Sequence, residues 1–190
     1  AHRPDRIRKG ILEAAMMVAA ETPWETVALL EIARAADVSL DELRCHFYTK
    51  SDIVDAIIDD LDTQVEAAFP AYDPAMPVRD RLFDVLMERI DLANQDRAAH
   101  VSFWKSFGWT KEASCADIKL LRASMTRMAR CAGLDTDGLF GTLRVAGLSL
   151  AYAWVLMTWA RDTSPDLAKT MAELDRTLGR VDKAAVYFNI

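Results

Sequence analysis

The chain has little of what builds metal centres or disulfide scaffolds. Its three cysteines, Cys45, Cys115 and Cys131, are widely spaced and form no CxxC pair. That odd count argues against a disulfide framework or a cysteine zinc site, and fits thiols kept in a reducing compartment. The three histidines, His2, His46 and His100, are scattered, so no metal site is expected. Seven glycines and six prolines are too few for long low-complexity segments. There is no Gly-rich phosphate loop, no GxSxG and no HExxH. No catalytic residue and no cofactor is therefore assigned, and an enzyme is not expected. Ser102 and Ser106 lie near His100 in sequence, which is a poor ground for a nucleophile–base pair.

Charge of one sign is also limited. The net charge is −6 over 190 residues, with no strongly basic coat. The polar start predicts no secretory signal. The longest charge-free apolar run, Val145 to Ala160, is flanked by Arg144 and Arg161. It is shorter than the roughly 20 residues of a membrane span, so a buried helix is expected instead, in a cytoplasmic protein.

What is present is helical periodicity nearly throughout, with no convincing period-2 strand, so the fold class is all-α. The spacing predicts helices over about 5–21, 27–36, 39–47, 52–69, 78–94, 97–111, 116–132, 139–160 and 165–181. Between the second and third, Asp37-Val38 makes a turn. Ser39 and Glu42 then form a Ser-x-x-Glu capping box, while Leu43 and Phe47 anchor the third helix. Thr49 or Ser51 is expected to cap the fourth helix. Residues 68–77, with three prolines, read as a linker. Ser164 and Pro165 are expected to start the last helix as cap and first position.

Helix, tight turn and helix near the N-terminus, followed by a longer apolar helical region, suggest a DNA-reading head of residues 1–50 on a ligand-binding and dimerisation body of residues 51–190. The head resembles the TetR family of bacterial transcriptional regulators in ILEAA at 11–15, EIARAADVS at 31–39, Leu43, and HFYTKSDIVDAII at 46–58. The resemblance implies a three-helix head with the 39–47 helix in the major groove, a helical bundle body, and a repressor-type regulator of double-stranded DNA answering to a small apolar effector. Candidate DNA contacts are Arg3, Arg6, Arg8 and Lys9 on the N-terminal arm, then Ser39, Leu40, Asp41, Arg44, His46, Tyr48 and Lys50.

Two departures bear on that expectation. Asp37 stands where the family has Gly in the turn, and Asp41 and Glu42 open the helix that should meet DNA. Residues 1–50 carry seven basic against eight acidic side chains, so the head has no general attraction to phosphate. Acids in a first helical turn are also plain helix chemistry, favourable by about 0.3–1 kcal/mol. The alternative is a second resemblance, in 79–91, 163–178 and Trp24, to the ubiquinone-biosynthesis accessory proteins, which keep a TetR-like fold but bind lipid or isoprenoid and not DNA.

In the body, Phe103, Trp104, Phe107, Met125, Met128, Tyr152, Trp154 and Met157 are candidate ligand-binding residues, since Met with aromatics suits an adaptable apolar cavity. Trp109 and Trp159 belong to the same concentration, and His100, Lys105 and Arg122 could supply a polar end. Such a stripe is more often plain core than a ligand box. Leu167, Met171, Leu174, Leu178 and Val181 repeat at heptad spacing. With Leu150, and with Gly141, Gly147, Ala151 and Ala153 permitting close approach, they are the expected homodimer interface through a four-helix bundle. Packing of that seam on its own core is the other reading.

Overall fold

A computed structural model describes residues 3–107 and 115–188, with side chains placed for 4–107 and 116–181. The side chain of Arg3, together with Trp109 and the expected helix end near 111, lies outside the described residues. Nine helices are described: α1 (Arg3–Glu21), α2 (Leu29–Ala35), α3 (Leu40–His46), α4 (Lys50–Ala68), α5 (Val78–Gln95), α6 (Arg97–Ser106), α7 (Cys115–Cys131), α8 (Gly138–Trp159) and α9 (Ala168–Phe188). No strand occurs among the described residues. The described chain divides into two compact units, residues 3–61 with 92–107, and residues 62–91 with 115–188.

In the first unit, α1 packs along α6 and against α2. Ile11, Ala14, Ala15 and Ala19 lie on one face of α1 at helical spacing and are buried. The alanines allow neighbouring backbones to come close. A 3₁₀ turn over Trp24–Thr26 precedes α2, which begins two residues later than the periodicity suggests. Ile32, Ala33, Leu43 and Phe47 fill the interior between α2 and α3. Burying each of the larger ones stabilises the head by about 1.5–3 kcal/mol. Asp37 occupies the left-handed region at φ 54°, taking the turn conformation that glycine adopts without steric cost.

The caps differ in detail from expectation. Ser39 Oγ accepts from the Glu42 N–H at 3.1 Å, but the Ser39 N–H donates no return bond to the Glu42 carboxylate among the described residues. The reciprocal arrangement forms at α4. The Thr49 N–H donates to Asp52 at 2.7 Å, and the Asp52 N–H donates to Thr49 Oγ1 at 3.2 Å. Thr49, not Ser51, is therefore the cap, and α4 starts two residues early.

In the second unit, α8 packs along both α7 and α9. Val145, Leu148, Tyr152, Val155, Leu156 and Trp159 of α8 are buried, as are Met125 and Met128 of α7. α8 is long and apolar enough to cross a membrane by length and composition alone. The helix is buried against α7 and α9, but not all round. Leu139, Phe140, Leu143, Leu150 and Trp154 are exposed along one stripe. An all-apolar sequence hides which face is left open, because periodicity carries no contrast there.

The start of α9 also differs. The segment Thr163-Ser164-Pro165 does not open the helix, which begins at Ala168 after Leu167 in a left-handed conformation, φ 51°. Asp162 is the reason. Its carboxylate accepts from the Ser164 N–H and hydroxyl, and from the Thr170 N–H at 2.9 Å and hydroxyl at 2.8 Å. It satisfies a free N–H of the first turn of α9 from eight residues upstream, so the Ser-Pro segment is a loop.

Candidate functional site

The α2–turn–α3 segment presents a small polar surface. Ser39, Asp41, Arg44 and Tyr48 are exposed, Tyr48 by 77%, while Leu40, Glu42 and His46 are half-buried. Opposite them, Leu43 and Phe47 are buried and fix the orientation of α3. Arg8 lies with its guanidinium 5.6 Å from the centre of the Phe47 ring. This contact brings the α1 arm to the C-terminal end of α3, next to His46 and Tyr48 in sequence. Arg6 is exposed, and so is Lys9, which pairs with Glu13 at 3.5 Å.

Lys50 is placed differently. Its Nζ donates to the carbonyl of Trp24 at 2.7 Å and to that of Glu25 at 3.3 Å, and lies 5.3 Å from the centre of the Trp24 ring. Burial lowers its pKa from the ordinary value, against the opposing effect of Glu25 and Glu31. The amine thus ties the start of α4 to the 3₁₀ turn ahead of α2.

The same turn is held from α6. The Trp24 N–H donates to Ser102 Oγ at 3.0 Å, and that hydroxyl in turn donates to the Thr22 carbonyl at 3.3 Å. The Trp24 ring meets Phe103 edge-on at 4.8 Å. Ser102 is therefore a structural bracket for the head. A tryptophan before a helix and a serine on an apolar helix carry no sequence signal that they meet.

The expected ligand-binding residues fall in both units. In the first, Phe103 and Trp104 are buried and Phe107 is half-buried, edge-on to Trp104 at 6.2 Å. His100 stands edge-on to Phe103, and Lys105 is exposed. In the second, Met125, Met128 and Tyr152 are buried, Met157 is half-buried, and Arg122 is exposed. Trp154 is 54% exposed, with its indole N–H donating to Glu173 at 2.9 Å.

Tyr152 belongs to a buried polar cluster that periodicity does not reveal. Arg89 Nε donates to Asp62 at 2.8 Å and its Nη1 donates to the Tyr152 hydroxyl at 3.0 Å, with all three residues buried. Burial alone would lower the Arg89 pKa. Tyr152 and Asp62 outweigh it and hold the guanidinium above its usual value, while burial pushes the Tyr152 phenol up. The only hint in the sequence is an arginine between Leu86 and Ile90, on the apolar phase of α5.

Of the expected dimer residues, Leu167, Leu174 and Leu178 are buried within the single chain. A side chain already inside its own core offers little area to a second subunit. Met171 and Leu150 are exposed, at 41% and 70%, and Val181 is half-buried. Gly141 serves an internal purpose. A Cβ there would lie 2.1 Å from the Thr136 carbonyl carbon, so glycine lets the loop before α8 cross the helix. Gly147 has open space around it, on the exposed stripe.

A three-helix head carrying α2–turn–α3, followed by α4 to α9 with α8 and α9 paired, can be compared as a whole with solved structures. A TetR transcriptional regulator from Nitrosomonas europaea superimposes with a TM-score of 0.71 at 23% identity, covering 91% of this chain and 96% of that one. The fold is that of the TetR family. A TetR regulator from Rhodococcus sp. RHA1 gives a TM-score of 0.70 at 19% identity, covering 94% and 96%. A TetR-family regulator from Streptomyces coelicolor gives 0.66 at 14% identity, covering 98% and 85%. The chain matches no family model and no curated protein. The TetR fold thus accounts for almost the whole chain, well beyond the first 60 residues in which the sequence resemblance is concentrated.

Proposed function

We propose that this chain is a DNA-binding transcriptional regulator of repressor type that works as a cytoplasmic homodimer and answers to a small apolar effector. The observation that carries the reading is α3, anchored by Leu43 and Phe47 and presenting Ser39, Asp41 and Arg44 outward at the spacing a major groove admits. Arg44 is the base-reading side chain, and Asp41 can accept from a cytosine amino group. Arg6, Arg8, Lys9, His46 and Tyr48 hold flanking phosphates. Lys50 acts through Trp24, fixing the turn from which α2 departs, and contributes less to phosphate contact than its position suggests.

The exposed α8 stripe supports a homodimer built on Leu139, Leu143, Leu150 and Trp154, with Met171 of α9 at its side. Gly147 on that stripe allows two such helices to approach. Effector binding falls to Met125, Met128 and Tyr152, buried in the second unit, Met being suited to a site that adapts.

The test is a salt titration of binding to the DNA upstream of its own gene, read by fluorescence anisotropy. Affinity that falls steeply as salt rises is the expected result. Arg44→Ala is expected to cost about 1–3 kcal/mol on the specific site and much less on unrelated DNA. Equal loss on both would remove the base-reading role. The inward Lys50 and the acidic start of α3 favour the lipid- or isoprenoid-binding reading, which takes over if no binding is detected even at low salt. Mass spectrometry of co-purified small molecules then decides it.

A further inference from the structure

The second unit holds a cleft that none of the residues discussed as effector contacts lines. The start of α5, the α7–α8 loop, α8 and α9 enclose about 360 Å³. This lies within the range of about 300–1,000 Å³ common to small-molecule sites. Its walls are aliphatic: Leu82, Leu134, Leu148, Leu178 and Val181. Among the described residues the lining holds no aromatic ring, and its aliphatic walls suit a flexible chain.

One side of the cleft is set by the backbone of Gly133. That residue has φ +75°, and a Cβ on it would come within 2.7 Å of the Tyr72 ring. Tyr72 is itself covered by the Arg81 guanidinium, 4.6 Å from the ring centre. The wall is thus fixed from behind.

Three charged residues stand at the rim, and they are not equivalent. Arg79 is neutralised by Asp175 and Asp80. The Asp135 carboxylate accepts from the Asp137 N–H at 2.9 Å, turning the loop into α8. Arg144 makes one hydrogen bond, from Nη1 to the Asp135 carbonyl at 3.3 Å, and pairs with no carboxylate among the described residues. It is half-buried beside an apolar wall, with N–H donors left over. A guanidinium in that state matches the forked geometry of a carboxylate.

We propose that this cleft binds an anionic amphiphile, with a medium-length aliphatic chain along the leucines and its carboxylate on Arg144. The site is separate from the aromatic and methionine residues above. It does not depend on whether the head reads DNA.

The experiment is isothermal titration calorimetry of the full chain, without DNA, using decanoate, decanol and decyltrimethylammonium as probes. Decanoate is expected to bind once per chain, more tightly than the other two. Arg144→Gln should weaken decanoate by about tenfold or more and leave decanol nearly unchanged. Leu134→Trp, which narrows the cleft from a half-exposed position, should weaken decanoate and decanol together; circular dichroism checks that both variants fold. Equal affinity for decanoate and decanol, decanoate binding indifferent to both substitutions, or no binding of decanoate would each overturn the proposal.

Discussion

Asp162 shows how far one carboxylate can reach in this chain. It is buried and accepts four hydrogen bonds from Ser164 and Thr170. Burial would raise its pKa. The hydrogen bonds from Ser164 and Thr170 outweigh that and hold the carboxyl well below its ordinary range. A group whose pKa is depressed by folding contributes stability above its unfolded value, about 3.9, and loses it as pH falls toward the folded value. Asp162→Asn is therefore expected to cost about 1–3 kcal/mol at neutral pH. In urea denaturation its stability should also fall less steeply than the parent's as pH drops below about 4. An unchanged slope would mean that other carboxylates govern acid unfolding.

Between elements, close approach decides more than propensity. Gly141→Ala puts a methyl 2.1 Å from the Thr136 backbone, and backbone does not step aside as a side chain does. The α7–α8 loop would have to move. A loss of about 1–3 kcal/mol is expected from thermal or urea denaturation, against the gain that Gly→Ala gives in an unhindered helix. This level of detail was not legible in advance. Leu43, Phe47 and Ser39 announced α3 because apolar spacing and a cap lie within ten residues of each other. Local sequence places the start of α9 too early because Ser164-Pro165 carries every local sign of a helix start, and the competing group, Asp162, acts on Thr170 from eight residues away. Lys50 read as a phosphate ligand because sequence does not say that the Trp24 carbonyl stands open to it. The Arg144 cleft has no sequence signature, since three separate stretches, 78–82, 133–148 and 178–181, build it and Arg144 reads as the flank of an apolar run.

For the whole molecule, the proposed homodimer rests on the exposed α8 stripe. Leu150→Lys on that stripe removes apolar burial worth about 1.5–3 kcal/mol per subunit and buries a charge in its place. Sedimentation velocity is expected to show the dimer dissociation constant raised by about a hundredfold or more, with monomer helicity unchanged. An unaltered dimer would place the interface elsewhere. The Asp62–Arg89–Tyr152 cluster carries a different kind of consequence, for inheritance. Removing one partner of a buried ion pair costs about 3–5 kcal/mol, whereas replacing the set by apolar residues of similar volume is close to neutral. No single substitution leads from one state to the other without passing through a badly destabilised protein. Positions 62 and 89 are therefore expected to change in concert among descendants of this chain, whereas Tyr152→Phe, which leaves the ion pair intact, should cost only about 1–3 kcal/mol.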